Sequence, residues 1–185
     1  DGVRNVFVSR LDIGEGEKDY LFTGSYAAVK MWDISTGTLK NTFMHGDYVV
    51  YSVFVSRLDI GEGEGEKDYL FTGSGDNTAD NTAKMWDIST GNLKKTFSHG
   101  KYVARCVFVS RLDIGQGEGE KDYLFTGSYD TTAMMWDISR GTLKKTFEGH
   151  TKQVMSVFVS GDYLFTGSRD NTAKMWDINA TVNDN

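Results

Sequence analysis

The chain has 185 residues, 39% of them apolar, and its 26 acidic and 20 basic side chains give a formal net charge of −6. That is enough apolar material for one domain of ordinary size. The acidic balance argues against a nucleic-acid-binding surface, the lack of any apolar run near ~18 residues argues against a helical membrane span, and a single cysteine, Cys106, excludes an internal disulfide framework. In chain order, the first unit opens with "VFVS" at 6–9 and passes through an acidic ribbon, "DIGEGEKD" at 12–19. It continues with "YLFTGS" at 20–25, "KMWDIS" at 30–35 and "TLKNTF" at 38–43. These short β-branched and aromatic runs, separated by Gly, Asp and Asn, predict four strands, A to D in order. The second unit repeats the series from 53 to 97 and the third from 107 to 147. The fourth runs "VFVSGDYLFTGS" at 157–168 and "KMWDIN" at 174–179. No helical segment is readable.

Internal repetition decides the fold before any single motif does. Trp32, Trp86 and Trp136 each stand eleven residues before a Phe (Phe43, Phe97, Phe147). Each of those stands eleven before the next, Phe54, Phe108 and Phe158. Length varies in the A–B ribbon, which the fourth unit replaces with Gly161-Asp162, and in the B–C turn, which an extra "DNTA" enlarges in the second unit. The ribbon therefore reads as a flexible, solubilising insertion, and exchanging 57–67 for the short turn is expected to leave the fold intact. Residues 10–19, 57–68 and 111–122 carry −2, −3 and −2, so the rest of the chain is at +1. One such sheet cannot cover both of its faces, so neighbouring units must stack.

"FEGHTKQVMSVFVSGDYLFTGSRDNTAKMWDI", 147–178, resembles a WD40 repeat in its Gly-His, its Ser-x-Asp turn and its Trp-Asp ending. The resemblance implies an all-β fold: a β-propeller of four WD40-like blades, each a four-stranded antiparallel sheet, at 3–43, 49–97, 103–147 and 154–185. The whole chain, 1–185, would be one propeller or propeller segment. No D strand precedes Val3, and "NATVNDN" after Ile178 lacks the Leu and Phe of one. The last blade is thus expected to lack its outer strand and to leave 173–178 as an edge. The first residue is Asp rather than Met, which fits a processed or truncated chain.

In this family a His, a strand-B Ser or Thr, a turn Asp and the Trp form a structural brace. Carried over, the fourth unit offers His150, Ser168, Asp170 and Trp176. The third offers His99, Ser128, Asp130 and Trp136, and the second His45, Ser74, Asp76 and Trp86, with Asp80 as another choice in "DNTADNTA". His45-Gly46 and His99-Gly100 reverse the order of Gly149-His150, which displaces the His by one position. The first unit has no His, and Ala27 stands where the Asp is expected.

The resemblance implies a non-catalytic scaffold for protein–protein interaction with no cofactor. It places the D–A and B–C turns on one rim, and there the near-identical units differ. Tyr26, Tyr129 and Arg169 precede the turn Asp position; Arg4, Tyr51, Arg105 and Met155 open strand A; Tyr48 and Tyr102 come just before. Tyr, Arg and Met are enriched at interfaces, so these residues form the candidate interaction rim. The expected partner is a protein or peptide, including other copies of the chain, with no nucleic acid and no membrane. The alternative is a structural, self-assembling protein whose open ends join copies into a ring or fibre.

Other chemistry is disfavoured. Asp59, Glu62, Glu64 and Glu66 supply hard oxygens, but alternating Glu in an extended loop is not preorganised for calcium. The His residues occur once per unit, too far apart to share a metal. His150, Ser168 and Asp170 could suggest a hydrolase triad, but "TGSRD" lacks the Gly-x-Ser-x-Gly elbow. Cys106 replaces a strand Ser and reads as a small buried filler. "GEGEGE" lacks the Lys-Ser/Thr of a phosphate loop. One cysteine and no leader pattern point to the cytoplasm; use of the Asn179-Ala180-Thr181 sequon would require secretion.

Overall fold

Alternating apolar runs with polar turns can satisfy their backbones only by pairing with one another, and they do so here in antiparallel ladders throughout. A computed structural model describes residues 2–61, 63, 65–75, 81–115, 117 and 119–180, and among these there are strands and no helix. The first unit contains β1 (Asn5–Asp12), β2 (Glu17–Gly24) and β3 (Tyr26–Asp33). A long strand, β4 (Leu39–Leu58), is its fourth strand and also the first strand of the second unit, which continues with β5 (Lys67–Gly75), β6 (Thr82–Asp87) and β7 (Leu93–Ser98). The third unit is β8 (Ala104–Leu112), β9 (Lys121–Ser128), β10 (Ala133–Asp137) and β11 (Thr142–Phe147). The fourth is β12 (Val154–Ser160), β13 (Tyr163–Ser168) and β14 (Ala173–Asp177).

The seven strands β1 to β7 form one hydrogen-bonded sheet in sequence order, β8 to β11 a second and β12 to β14 a third. The boundary expected between 43 and 49 falls inside β4, where Tyr26 pairs with Val49 beyond a register shift. Register repeats from unit to unit: Phe7 faces Phe22, which faces Met31, and Phe158 faces Phe165, which faces Met175. A slip of one residue would turn each apolar set outward. Bulges recur at Val50/Ser52, Ala104/Cys106 and Val154/Ser156, in the inner strands of the second, third and fourth units, where a bulge sharpens the local twist. Among the described residues the third sheet ends at β14 without a fourth strand.

The core lies between units rather than within them. Tyr20, Phe22 and Met31 of the first pack on Leu70 and Trp86 of the second. Tyr69, Phe71 and Met85 pack on Leu124 and Trp136. Tyr123, Phe125 and Met135 pack on Leu164 and Trp176. An outer-strand Phe meets the next unit's Trp each time, with ring centroids 6.0, 5.7 and 6.0 Å apart for Phe43–Trp86, Phe97–Trp136 and Phe147–Trp176. The inner strands carry a second ladder, Phe7–Phe54–Phe108–Phe158, at 5.3, 5.0 and 5.1 Å.

The ribbons differ from the flexible spacer expected. Pairing runs outward to Asp12–Glu17, Leu58–Lys67 and Leu112–Lys121. Leu11, Leu58 and Ile60 are buried in the contacts between units, and Leu112 and Ile114 pack against the third. The ladder reaches into the ribbon and Ile60 beyond its last pair is still buried, so the 57–67 segment is not a dispensable whole.

Candidate interaction site

The braces hold the turns that shape the rim. In the fourth unit Trp176 Nε1 donates to Thr166 Oγ1 (2.9 Å), and the same hydroxyl lies 2.7 Å from His150 Nε2. His150 Nδ1 lies 2.7 Å from Asp170 Oδ2. An ionised carboxylate can only accept, so Nδ1 donates to Asp170; in a neutral ring Nε2 then accepts from Thr166. Asp170 also accepts from Thr151 N, Thr172 N and the Thr172 hydroxyl. The bond from Thr172 and, against the opposing effect of burial, the bond from His150 hold its carboxyl well below the usual range.

The hydroxyl that joins His to Trp is therefore Thr166, two residues before the expected Ser168. Ser168 Oγ instead accepts from Asp170 N and donates to Lys152 O, so it ties the turn rather than the Trp. The third unit does the same: His99 Nε2 is 2.6 Å from Thr126 Oγ1, Trp136 donates to that oxygen at 2.9 Å, and Ser128 receives Asp130 N. His99 Nδ1 to Asp130 is looser, 3.4 Å. The second unit departs. Trp86 donates to Thr72 Oγ1 (3.1 Å), but His45 Nδ1 meets Ser74 Oγ (3.2 Å), and the His45 ring packs at a tilt against Trp86. Asp76 and Asp80 lie outside the described residues. The first unit keeps only Trp32 to Thr23, 3.1 Å, with Ala27 at a φ of 70° in place of the turn Asp. Thr occupies this position in all four "YLFTGS" copies, a regularity that could have pointed to it beforehand.

A second aspartate, the one following each Trp, ties the C–D turn. Asp33, Asp87 and Asp137 accept from the Ser and the backbone amides just beyond them, and Asp177 accepts from Asn179 N and Ala180 N. These turns share one end of the molecule with the ribbons, where Asp12, Arg57, Glu66 and Asp68 line a crevice with Ile88 and Ser89. Burial pushes the Asp68 and Asp122 carboxyls up, against the pull of Arg57 and Arg111. Among the described residues no three His, Cys, Asp or Glu side chains converge to hold a metal ion; Glu62 and Glu64 lie outside them. The Cys106 thiol is buried and pushed up to about 12 by that burial, so it is protonated and a poor nucleophile at neutral pH.

At the opposite end, three of the nine rim residues come together. The Arg105 guanidinium lies 4.7 Å over the Tyr51 ring and its Nη1 donates to Tyr51 O at 3.3 Å. The Tyr51 ring is 6.4 Å from that of Tyr129. Tyr51 belongs to the second unit and Arg105 and Tyr129 to the third, so the cluster spans a unit boundary. All three are half-buried. Tyr48 and Met155 are half-buried too; Arg4, Tyr26, Tyr102 and Arg169 are exposed. Lys101 sits 5.3 Å over the Tyr102 ring.

Comparison with family models matches the WD domain, G-beta repeat, at residues 91–137 and 141–177. Each match begins before an outer strand, β7 or β11, and ends on the next unit's Trp-Asp, so the sequence repeat straddles two structural units. No curated protein matches the sequence. Among solved structures, the crystal structure of the computationally designed Ika4 protein aligns over 86% of this chain and 85% of that one, with a TM-score of 0.61 at 22% identity. At that identity the likeness concerns the fold alone.

Proposed function

We propose that this chain, which belongs to the WD40-repeat family, is a non-catalytic scaffold that binds a protein or peptide at the rim formed by its D–A and B–C turns. WD40 repeats generally mediate protein–protein interaction, and this reading places the contact on the part of the chain where the repeats differ. The observation that carries it is the Tyr51–Arg105–Tyr129 cluster. Stacking on Tyr51 orders the guanidinium in advance, which lowers the entropy lost on binding. Two tyrosines and one arginine in contact supply the residue types that dominate interface energies. The expected ligand is an extended segment with an aromatic or acidic side chain, met by the Tyr rings and the Arg105 guanidinium.

The test is selection from a displayed peptide library against the 185-residue chain, repeated with Arg105→Ala and Tyr129→Ala variants of unchanged thermal melt. Peptides retained by the parent and lost by both variants support the reading. Peptides held equally by all three, or displaced only by changes at the ribbon end, overturn it.

A further inference from the structure

Each of the three internal contacts between units is built from the same two halves. One half is the Tyr, Phe and Met of strands B and C; the other is the two Val of strand A with the Leu and Trp of the next unit. Tyr, Phe and Met in the first half are 2% exposed or less in units one to three. The fourth unit presents the same residues in the same register, yet Tyr163 is 42%, Phe165 40% and Met175 63% exposed. The second half is left open at the other end, where Val6 is 61% and Val8 56% exposed beside Leu21 and Trp32. The inner-strand Phe ladder also stops, with Phe158 exposed at its last rung.

A finer match supports the pairing of these halves. At each of the first two contacts an inner-strand side chain accepts from the next unit's backbone: Asn5 Oδ1 from Val53 N and Ser52 Oγ from Val107 N, both at 3.2 Å. The equivalent acceptor in the fourth unit is Ser156, which is exposed, and the equivalent donor is Val6 N.

We propose that the fourth unit of one copy seats on the first unit of a second copy, with Tyr163, Phe165 and Met175 against Val6, Val8 and Trp32. The occupant is another copy because the chain itself carries both halves of a contact it already makes three times. The contact is heterologous: each copy uses one end to give and the other to receive. Copies therefore close into a ring when the accumulated rotation allows, and extend as a fibre when it does not. The rim cluster plays no part in it.

Sedimentation of the 185-residue chain across a concentration range tests this. The expected result is a species at a multiple of 20.6 kDa. Val8→Glu at one end and Met175→Glu at the other each reduce it to the single-chain mass, and both sites are exposed within one copy, so the fold does not depend on them. Mixing the two variants is the sharper arm. One intact half remains on each, so an equal mixture restores a two-copy species and nothing larger. Should Val8→Glu fail to fold, Val6→Lys takes its place. Arg105→Ala leaves the assembled mass unchanged, which separates this proposal from the rim reading. A parent chain of single mass throughout overturns the proposal and leaves the faces to further chain or a different protein. An assembly that survives both single variants overturns it as well, since it would then use another surface.

Discussion

Thr166 serves two partners with one hydroxyl: it accepts from Trp176 and donates to His150. Thr166→Val keeps the shape and removes both bonds, leaving a Trp N–H and a His nitrogen without them. The expected loss is about 1–3 kcal/mol by urea unfolding, and Trp176→Phe is expected to fall in the same range. Ser168→Ala acts only in the turn and is expected to cost less; the reverse order would assign the brace to Ser168 after all. Asp170 brings a pH dependence to the same network. Its carboxyl is held below the ordinary range in the folded state. That contribution is complete above the unfolded value and is lost as pH falls toward the folded one. The stability difference between parent and Asp170→Asn is therefore expected to be flat near neutrality and to shrink below about pH 4. A difference that grows on acidification would contradict the assignment.

At the scale of elements, the ribbons show how composition misleads when it is read without register. Gly and Glu dominate residues 59–66, yet Leu58 and Ile60 alternate with them and point into the contact with the third unit. Extension of the ladder to Leu58–Lys67 is what fixes that direction. The two parts separate under mutation. Shortening the tip between Gly61 and Gly65 is expected to change stability by less than about 1 kcal/mol, since loop closure varies slowly with length. Leu58→Ala empties a buried site and is expected to cost about 2–5 kcal/mol. Equal effects in thermal melts would return the whole segment to the role of a spacer.

Across the whole molecule, units are held at a distance set by glycine. A Cβ on Gly73 would lie 2.7 Å from the Ala104 carbonyl oxygen of the next unit, and one on Gly127 2.7 Å from Val154 Cγ1. Backbone cannot yield as a flexible side-chain tip can. Gly73→Ala is therefore expected to push the second and third units apart, at about 1–3 kcal/mol, with a broader thermal transition as neighbouring units uncouple. An unchanged, equally sharp melt would show that the stack tolerates looser spacing than the inner Phe ladder suggests. The same spacing aligns Tyr51 with Arg105 and Tyr129, so the variant should also weaken any ligand of the rim.

The strand pattern, the four-fold repeat and most of the turns were legible in the sequence, because period-two runs and turn residues act over a few positions; the turn expected between 43 and 49 was not, since β4 runs through it. Phe54, Phe108 and Phe158 announced themselves by spacing alone. The choice of Thr166 over Ser168 was not legible. Both sit in "TGS" two residues apart, on the same side of a strand, and only the distance to the His ring on another loop decides which one bonds. The burial of Leu58 and Ile60 was hidden for the same reason: their partners lie in the next unit. Tyr51, Arg105 and Tyr129 were each marked as candidates, but their meeting depends on how one unit stacks on another. Sequence determines what a residue can do with its neighbours in the chain. The stacking of sheets, a tertiary matter, decides which distant groups it meets and which faces are left open.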